Sequence, residues 1–257
     1  MLKKRYYDHL LHALKLHQHK DIISIVGGGG KTSTLIRLGK ELSNCEKRVI
    51  LSTTTHMEKL NFDLIRFSGK LTNELVEKIE TSILNEPVIV AQRLVRGNRI
   101  KGLSIEQVAE INREVTFDYM IIEADGAEKK SLKAPHKYEP PVPYATTLFI
   151  VVIGFDILGK KLNIKNVHRP QNVARITGKP LESVIQPSDI ISLLKHPHGL
   201  LKNRPPATRT VVILNKVTDP QINEALNLAD GILKYGQGIN SVICGEVNKQ
   251  HQLLLFA

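Results

Sequence analysis

Tryptophan is absent from this 257-residue sequence, and phenylalanine and tyrosine together account for only 5% of it, so few rings are available to stack nucleic-acid bases. Cysteine is scarce as well. Cys45 and Cys244 stand alone, with neither a C-x-x-C pair nor a Cys/His zinc spacing, which leaves two isolated thiols read as buried apolar residues. No apolar run reaches the roughly 18 residues of a membrane-spanning helix. The N-terminus, MLKKRYYDHLLHALKLHQHK, is basic, but histidines and lysines break up its apolar positions, unlike the continuous core of a signal peptide. A cytoplasmic protein with no membrane partner is expected.

Acidic residues are outnumbered 25 to 36 by lysine and arginine, giving a net charge of +11 that would attract nucleic acid, an anionic substrate or an acidic partner. The cations are spread along the chain without a long basic run, and with so few aromatics this weighs against nucleic acid. Hydrophobic residues make up 42% of the chain, ample for a core. Strand patterns alternate with helical ones, without internal repeat or break in composition. That order predicts one α/β domain over residues 1–257, with a doubly wound, mainly parallel sheet of the P-loop NTPase type. An N-terminal helix over 1–20 and a helical insertion over 163–205 complete the expectation.

The stretch that organises the chain is IISIVGGGGKTS, residues 22–33. Ile22, Ile23, Ile25 and Val26 suit a buried strand, and Leu35, Leu38 and Leu42 line one face of a following helix. Gly27, Gly28, Gly29 and Gly30 then form a strand-to-helix turn whose backbone can curl around an anion, next to a helix N-terminus that favours negative charge. Lys31 would reach β- and γ-phosphates, Thr32 would hold Mg²⁺, and Ser33 would lie beside them. The strict G-x-x-x-x-G-K-T pattern wants glycine at position 25, where this chain has Ile25. A glycine-rich structural turn explains the glycines but leaves the lysine without a purpose.

Phe117 to Asp125, FDYMIIEAD, is the second informative stretch. An apolar strand ending in Glu123 and Asp125 and followed by Gly126 has the form of a Walker B strand, so Asp125 is expected to hold Mg²⁺. A strand over 48–52 runs into Thr53, Thr54, Thr55 and His56, a hydroxyl-rich turn at the carboxyl end of the sheet, where ligands collect. Thr54 is a candidate metal ligand; Glu123 or His56 could orient an attacking water. The polar, proline-rich loop 126–144 offers Lys133 and His136 to phosphate or substrate. A strand over 209–217 delivers Asn215 and Lys216, which would pack against a nucleotide base; Thr218 stands where guanine recognition wants aspartate, and Asp219 follows one residue late. Residues 1–20 read as a basic helix with Leu10, Leu11 and Leu14 inward and His9, His12, His17 and His19 mostly outward. No carboxylate or cysteine accompanies these histidines to support a metal site.

Further elements follow from pattern alone: a helix over 73–84, a hairpin over 93–102 turning at Gly97-Asn98, a helix opened by Ser104, a helix over 171–177, a helix over 189–195 capped by Ser188, a helix over 220–235, and a last strand over 241–247.

Taken together, VGGGGKTS, LSTTTH, IIEADGAEKKSLKAP, VHRP, HPHGLLK and LNK resemble the YqeC-type family of accessory proteins of selenium-dependent molybdenum hydroxylases, over residues 20–220. The resemblance implies a cytoplasmic bacterial P-loop protein serving maturation of a molybdenum enzyme, through its molybdopterin cofactor or through selenium insertion. It carries the nucleotide site onto Gly28–Thr32 and Asp125, and draws attention to Thr54, His56, Lys133, His168 and Arg169. The expected function is a Mg²⁺-dependent ATP- or GTP-binding, and hydrolysing, maturation factor whose partner is the hydroxylase or a cofactor-maturation protein. Two alternatives stand beside it. One is a phosphotransferase or ATP-dependent ligase whose anionic acceptor binds Lys129–Lys137, His168 and Arg169; the other is a non-catalytic, nucleotide-dependent scaffold.

Overall fold

The computed structural model describes residues 4–16, 20–236, 238–249 and 253–256. The chain begins with strand β1 (Lys4–Tyr7) and a single helical turn α1 (Leu10–Ala13), then enters β2 (Asp21–Gly27), whose seven residues are all buried. Helix α2 (Lys31–Ser43) leads to β3 (Val49–Thr53), β4 (His56–Glu58) and β5 (Leu64–Arg66). Helix α3 (Asn73–Ser82) is capped by Thr72, which accepts from Leu75 N, and precedes β6 (Val88–Ala91) and the hairpin β7 (Arg93–Val95) and β8 (Arg99–Lys101). Helix α4 (Ile105–Glu114) opens on a capping box in which Ser104 and Gln107 satisfy each other's amides.

Strand β9 (Tyr119–Glu123) carries the acids, and β10 (Leu132–Lys133) lies within the long loop before β11 (Leu148–Gly154). The helical section holds β12 (Val167–His168), α5 (Pro170–Thr177) and α6 (Pro187–Lys195). The chain continues through β13 (Arg209–Asn215), α7 (Ile222–Tyr235), β14 (Ser241–Gly245) and β15 (Leu253–Phe256).

Ten strands form one sheet in the order β1-β15-β14-β13-β11-β2-β9-β3-β6-β5. From β14 to β5 every neighbouring pair is parallel, while β15 runs antiparallel to both β14 and β1. Both faces are covered, as a parallel sheet requires. Ile22 and Val26 of β2 enter a core shared with Ile79, Ile111, Leu193 and Ile232, whereas the alternate Ile23 and Ile25 enter a second core with Leu10, Leu14, Leu35 and Leu38. The fold is therefore α/β, doubly wound and mainly parallel, as the order of patterns predicts. The helical section packs α6 against α7, and Ile190 and Leu193 enter the first core.

The termini depart from expectation. Residues 4–7 are extended and hydrogen-bonded to β15, and only Leu10–Ala13 is helical, although Leu10, Leu11 and Leu14 are buried as expected. Tyr6 and Tyr7 suit a strand better than a helix, and β15 supplies the pairing edge. His9 and His12 are exposed; His17 and His19 lie outside the described residues. Helix α6 begins at Pro187, with Asp189 accepting from Gln186 N at 2.8 Å, because proline fits the first helical position; Ser188 sits one residue inside. The last sheet strand is β15, not the segment ending at Val247.

Candidate functional site

Strands β3, β9, β2, β11 and β13 deliver their carboxyl ends to one region, on both sides of the central strand β2. There the chain turns through Gly27–Gly30 into α2. A Cβ on Gly27 would sit 2.2 Å from Val152 O, and one on Gly30 only 2.1 Å from Asn215 Nδ2; both residues also have positive φ, +98° and +136°. Glycine is thus imposed by close packing as much as by turning.

The amides of this turn divide into two groups. Gly27 N donates to Asp125 Oδ2 (3.0 Å), Gly28 N to Val152 O (2.8 Å) and Gly29 N to Lys130 O (2.8 Å), so these three face the protein instead of wrapping an anion. The sequence could not show this, because the acceptors come from segments about 100 residues away. Thr34 N is the first amide of α2 to donate to a backbone partner, Gly30 O at 2.9 Å, which leaves the preceding amides at the helix N-terminus, where anions are favoured.

Lys31 is buried, 5% exposed, and folds back so that Nζ donates to Gly27 O at 2.9 Å, with Asp125 Oδ1 at 3.2 Å and Glu123 Oε1 at 3.8 Å. Thr32 Oγ1 donates to Glu123 Oε2 at 2.7 Å. The two expected acids therefore have different settings. Glu123 faces the hydroxyl of Thr32. Burial pushes its carboxyl above the ordinary range, against the opposing pull of Lys31 and Thr32.

Asp125 is held by the Gly27 amide and flanked by Lys31 and, through Oδ2, by Lys133 Nζ at 3.1 Å. Its buried Oδ1 has no aligned hydrogen-bond donor among the described residues. Lys133, offered by its loop to phosphate or substrate, is completely buried and also contacts Gly126 O (2.7 Å) and Glu139 Oε2 (3.0 Å). Arg169 grips both oxygens of Glu139, with Nη2 at 2.9 Å from Oε1. Burial alone would raise the Glu139 carboxyl; the Arg169 hydrogen bonds and the Lys133 charge outweigh it and hold it at about 2.

A chain of alternating charge thus runs Arg169, Glu139, Lys133, Asp125, Lys31, Glu123. It ties the loop 126–144 and the VHRP turn to Lys31. Strand β12 pairs with β10 so that His168 lies opposite Lys133 in register, and burial, with Arg169 and Lys133 nearby, lowers the His168 pKa.

The remaining candidates are distributed around this cluster. Thr54 Oγ1 donates to Pro141 O (2.8 Å), and Thr53 Oγ1 to Glu123 O (2.7 Å). His56 is exposed on β4, in a small sheet of order β4-β8-β7, and no described contact joins it to the charge chain. His136 is exposed, and its carbonyl accepts from Lys202 Nζ at 2.7 Å. Asn215 is buried, donating to Gly29 O (2.7 Å) and accepting from Val247 N (2.8 Å). Lys216 Nζ turns to Ser131 Oγ (2.8 Å) and Asp156 Oδ1 (3.4 Å).

A cavity of about 640 Å³ runs along α2 from Ser33 through Arg37 to Asn44 and Cys45, closed on its other side by Leu11 and Val247 among others. Arg37 shapes it, donating to Asp8 O (2.6 Å), Val247 O (3.2 Å), Lys249 O (2.8 Å) and Glu41 Oε1 (2.6 Å). Sequence reading missed Glu139, Arg37 and this cavity. Glu139 carries no local signal beyond its place before two prolines, and the cavity forms where α1 and residues 247–249, distant in sequence, meet α2.

Comparison with known proteins places the chain in a family. The family model described as "YqeC protein" matches residues 23–171, from β2 to the start of α5, and so spans the glycine turn, both acids, Lys133, Glu139 and Arg169. A protein of Escherichia coli (strain K12) bearing the name "Uncharacterized protein YqeC" is 33% identical over 197 residues, covering 76% of this chain and 75% of that protein. On the extent of both matches, the chain belongs to the YqeC family.

Proposed function

We propose that this protein is a Mg²⁺-dependent nucleoside triphosphate-binding factor, hydrolysing ATP or GTP in the service of maturing a selenium-dependent molybdenum hydroxylase or its molybdopterin cofactor. The nucleotide half of the reading rests on one observation: Lys31 at the N-terminus of α2, folded onto Gly27 O between two buried acids, beside a Thr32 hydroxyl already engaged with Glu123. The maturation half rests on the resemblance in sequence.

The residues present fit the two groups implied. For phosphate, the N-terminal amides of α2 and the Lys31 ammonium supply donors and positive charge. For Mg²⁺, Thr32 with Glu123 is the better oxygen pair, because Asp125 is already neutralised by Lys31, Lys133 and the Gly27 amide. Bound Mg²⁺ supplies charge neutralisation on the β- and γ-phosphate oxygens. The chain's own part is to orient. Lys31 exchanges Gly27 O for phosphate oxygens, Asp125 steadies that ammonium, and Lys133 with Arg169 keeps the following loop fixed to Asp125. The nucleoside fits the cavity along α2, whose 640 Å³ is in the ordinary range for a small-molecule site. Asn215 serves by pinning Val247, a wall of that cavity, to the glycine turn.

The transferase reading has less support, since Lys133 and Arg169, two of its acceptor cations, are saturated by Asp125 and Glu139. Competition of ATP, GTP and CTP against a fluorescent triphosphate, with and without Mg²⁺, tests the proposal. Saturable binding strengthened by Mg²⁺ is expected; no saturable binding of any of the three overturns it.

A further inference from the structure

The small sheet β4-β8-β7 is not used by the nucleotide site, yet it carries a concentrated charge. Residues 92–103, QRLVRGNRIKGL, hold four cations and no acid. The register aligns His56 with Lys101 and Lys101 with Arg93, and in the next outward row Glu58 with Arg99 and Arg99 with Val95. Side chains alternate across a strand, so these six share one face, while Met57 and Ile100 point into the second core. Arg93, Arg96 and Arg99 are exposed. Glu58, the single acid among the six, is held chiefly by Lys129 Nζ at 2.8 Å and more weakly attracts Arg99, so one acid stands against three cations of the face, Arg93, Arg99 and Lys101.

We propose that this face docks an extended acidic segment of a partner protein. The strand order of the small sheet leaves β7 at an edge, with Leu94 38% exposed on the opposite face from the charged row. A strand laid along that edge presents every second side chain to the cationic face and the intervening ones toward Leu94. Arginine forks, which dominate here, match carboxylates in a bidentate manner. Among the described residues of this face the only ring is the His56 imidazole, with no phenylalanine, tyrosine or tryptophan to form a stacking platform for successive bases, which favours a polypeptide over nucleic acid.

The platform is also joined to the site. Gly102 N donates to Thr55 O (2.7 Å) and Leu103 N to Thr53 O (2.8 Å), while Thr53 in turn bonds Glu123 O. The Glu58–Lys129 pair links it to the loop that carries Lys133. His56 belongs on this reading to the docking face, opposite Lys101.

The test measures binding of a fluorescein-labelled peptide of alternating glutamate and valine to the full chain at low and high salt. Its arms are the wild type, the triple variant R93Q/R99Q/K101Q, and a charge-matched control, K78Q/K195Q/K234Q, at exposed lysines elsewhere. A single-stranded oligonucleotide of equal charge is run as a competitor. Affinity should fall at least ten-fold in the triple variant and change less than two-fold in the control, with circular dichroism and melting unchanged in both. Equal losses in the two variants would reduce the effect to net charge and overturn the proposal, as would displacement of the peptide by the oligonucleotide at lower concentration. Since all the substituted side chains lie outside the nucleotide cluster, failure here leaves nucleotide binding untouched, and loss of nucleotide binding in a Lys31 variant leaves peptide binding intact.

Discussion

Lys133 is the residue whose chemistry changed most between sequence and structure. In sequence it stands out from Lys129, Lys130 and Lys137 only through the family resemblance and as a candidate contact to phosphate or substrate. In the fold it is completely buried between Asp125 and Glu139. Removing one partner of a buried charge network leaves the others uncompensated, so Lys133→Met should cost about 3–5 kcal/mol in denaturant unfolding. Adding Glu139→Gln should recover part of the loss, a coupling that a packing defect would not produce. Glu139 also sets an acid limb. Its folded pKa, about 2, lies below the ordinary value of 4.5, so the native state favours the ionised form. That stability is fully present above pH 4.5 and is lost as pH falls toward 2. The difference amounts to about 3 kcal/mol at 1.36 kcal/mol per pH unit, and urea midpoints across that window should show it in the wild type but not in Glu139→Gln. Glu123 has the opposite sign: burial raises its pKa, so it costs stability once ionised, and Glu123→Gln should stabilise the protein at neutral pH while weakening Mg²⁺-dependent nucleotide affinity.

At the scale of elements, legibility followed periodicity. β2, α2, α3, the β7–β8 hairpin, α4 with its Ser104 cap, and β9 are local patterns with local signals, and they stand where the sequence places them within a few residues. What failed were elements defined by a distant partner. In KRYY only the two tyrosines favour a strand, too short a signal to set against the helical pattern that follows; β1 exists because β15 offers it an edge. Below it, Leu10 and Leu14 are fully buried against α2, whereas Tyr6 is 64% exposed. Leu10→Ala should therefore cost about 2–5 kcal/mol, and Tyr6→Ala less than about 0.5 kcal/mol, by equilibrium unfolding. Near-neutral results at both sites would mean that the N-terminal segment does not dock on α2.

For the whole molecule, the alternation of strands and helices was enough to give a doubly wound parallel sheet, and the carboxyl-edge rule was enough to gather the glycine turn, the Thr53–Thr55 turn and the two acids at one place. Sequence could not give the division of labour within that place. Glu123 with Thr32 faces the helix N-terminus, Asp125 faces two lysines, and Asn215 acts as a clasp between Gly29 and Val247. Those roles depend on which side of β2 each neighbour strand lies. Among the described residues, no helix is long and apolar enough to cross a membrane.

The central claim, that the cluster at Lys31 binds a nucleoside triphosphate, is tested most directly by thermal unfolding of the wild type and Lys31→Ala with Mg²⁺ and increasing ATP or GTP. Ligand at about 100 times its dissociation constant stabilises a native protein by about 2.7 kcal/mol, so the wild-type melting temperature should rise by roughly 5–10 °C while that of Lys31→Ala stays flat. A wild-type melting temperature insensitive to both nucleotides, or an equal rise in the two proteins, would contradict it.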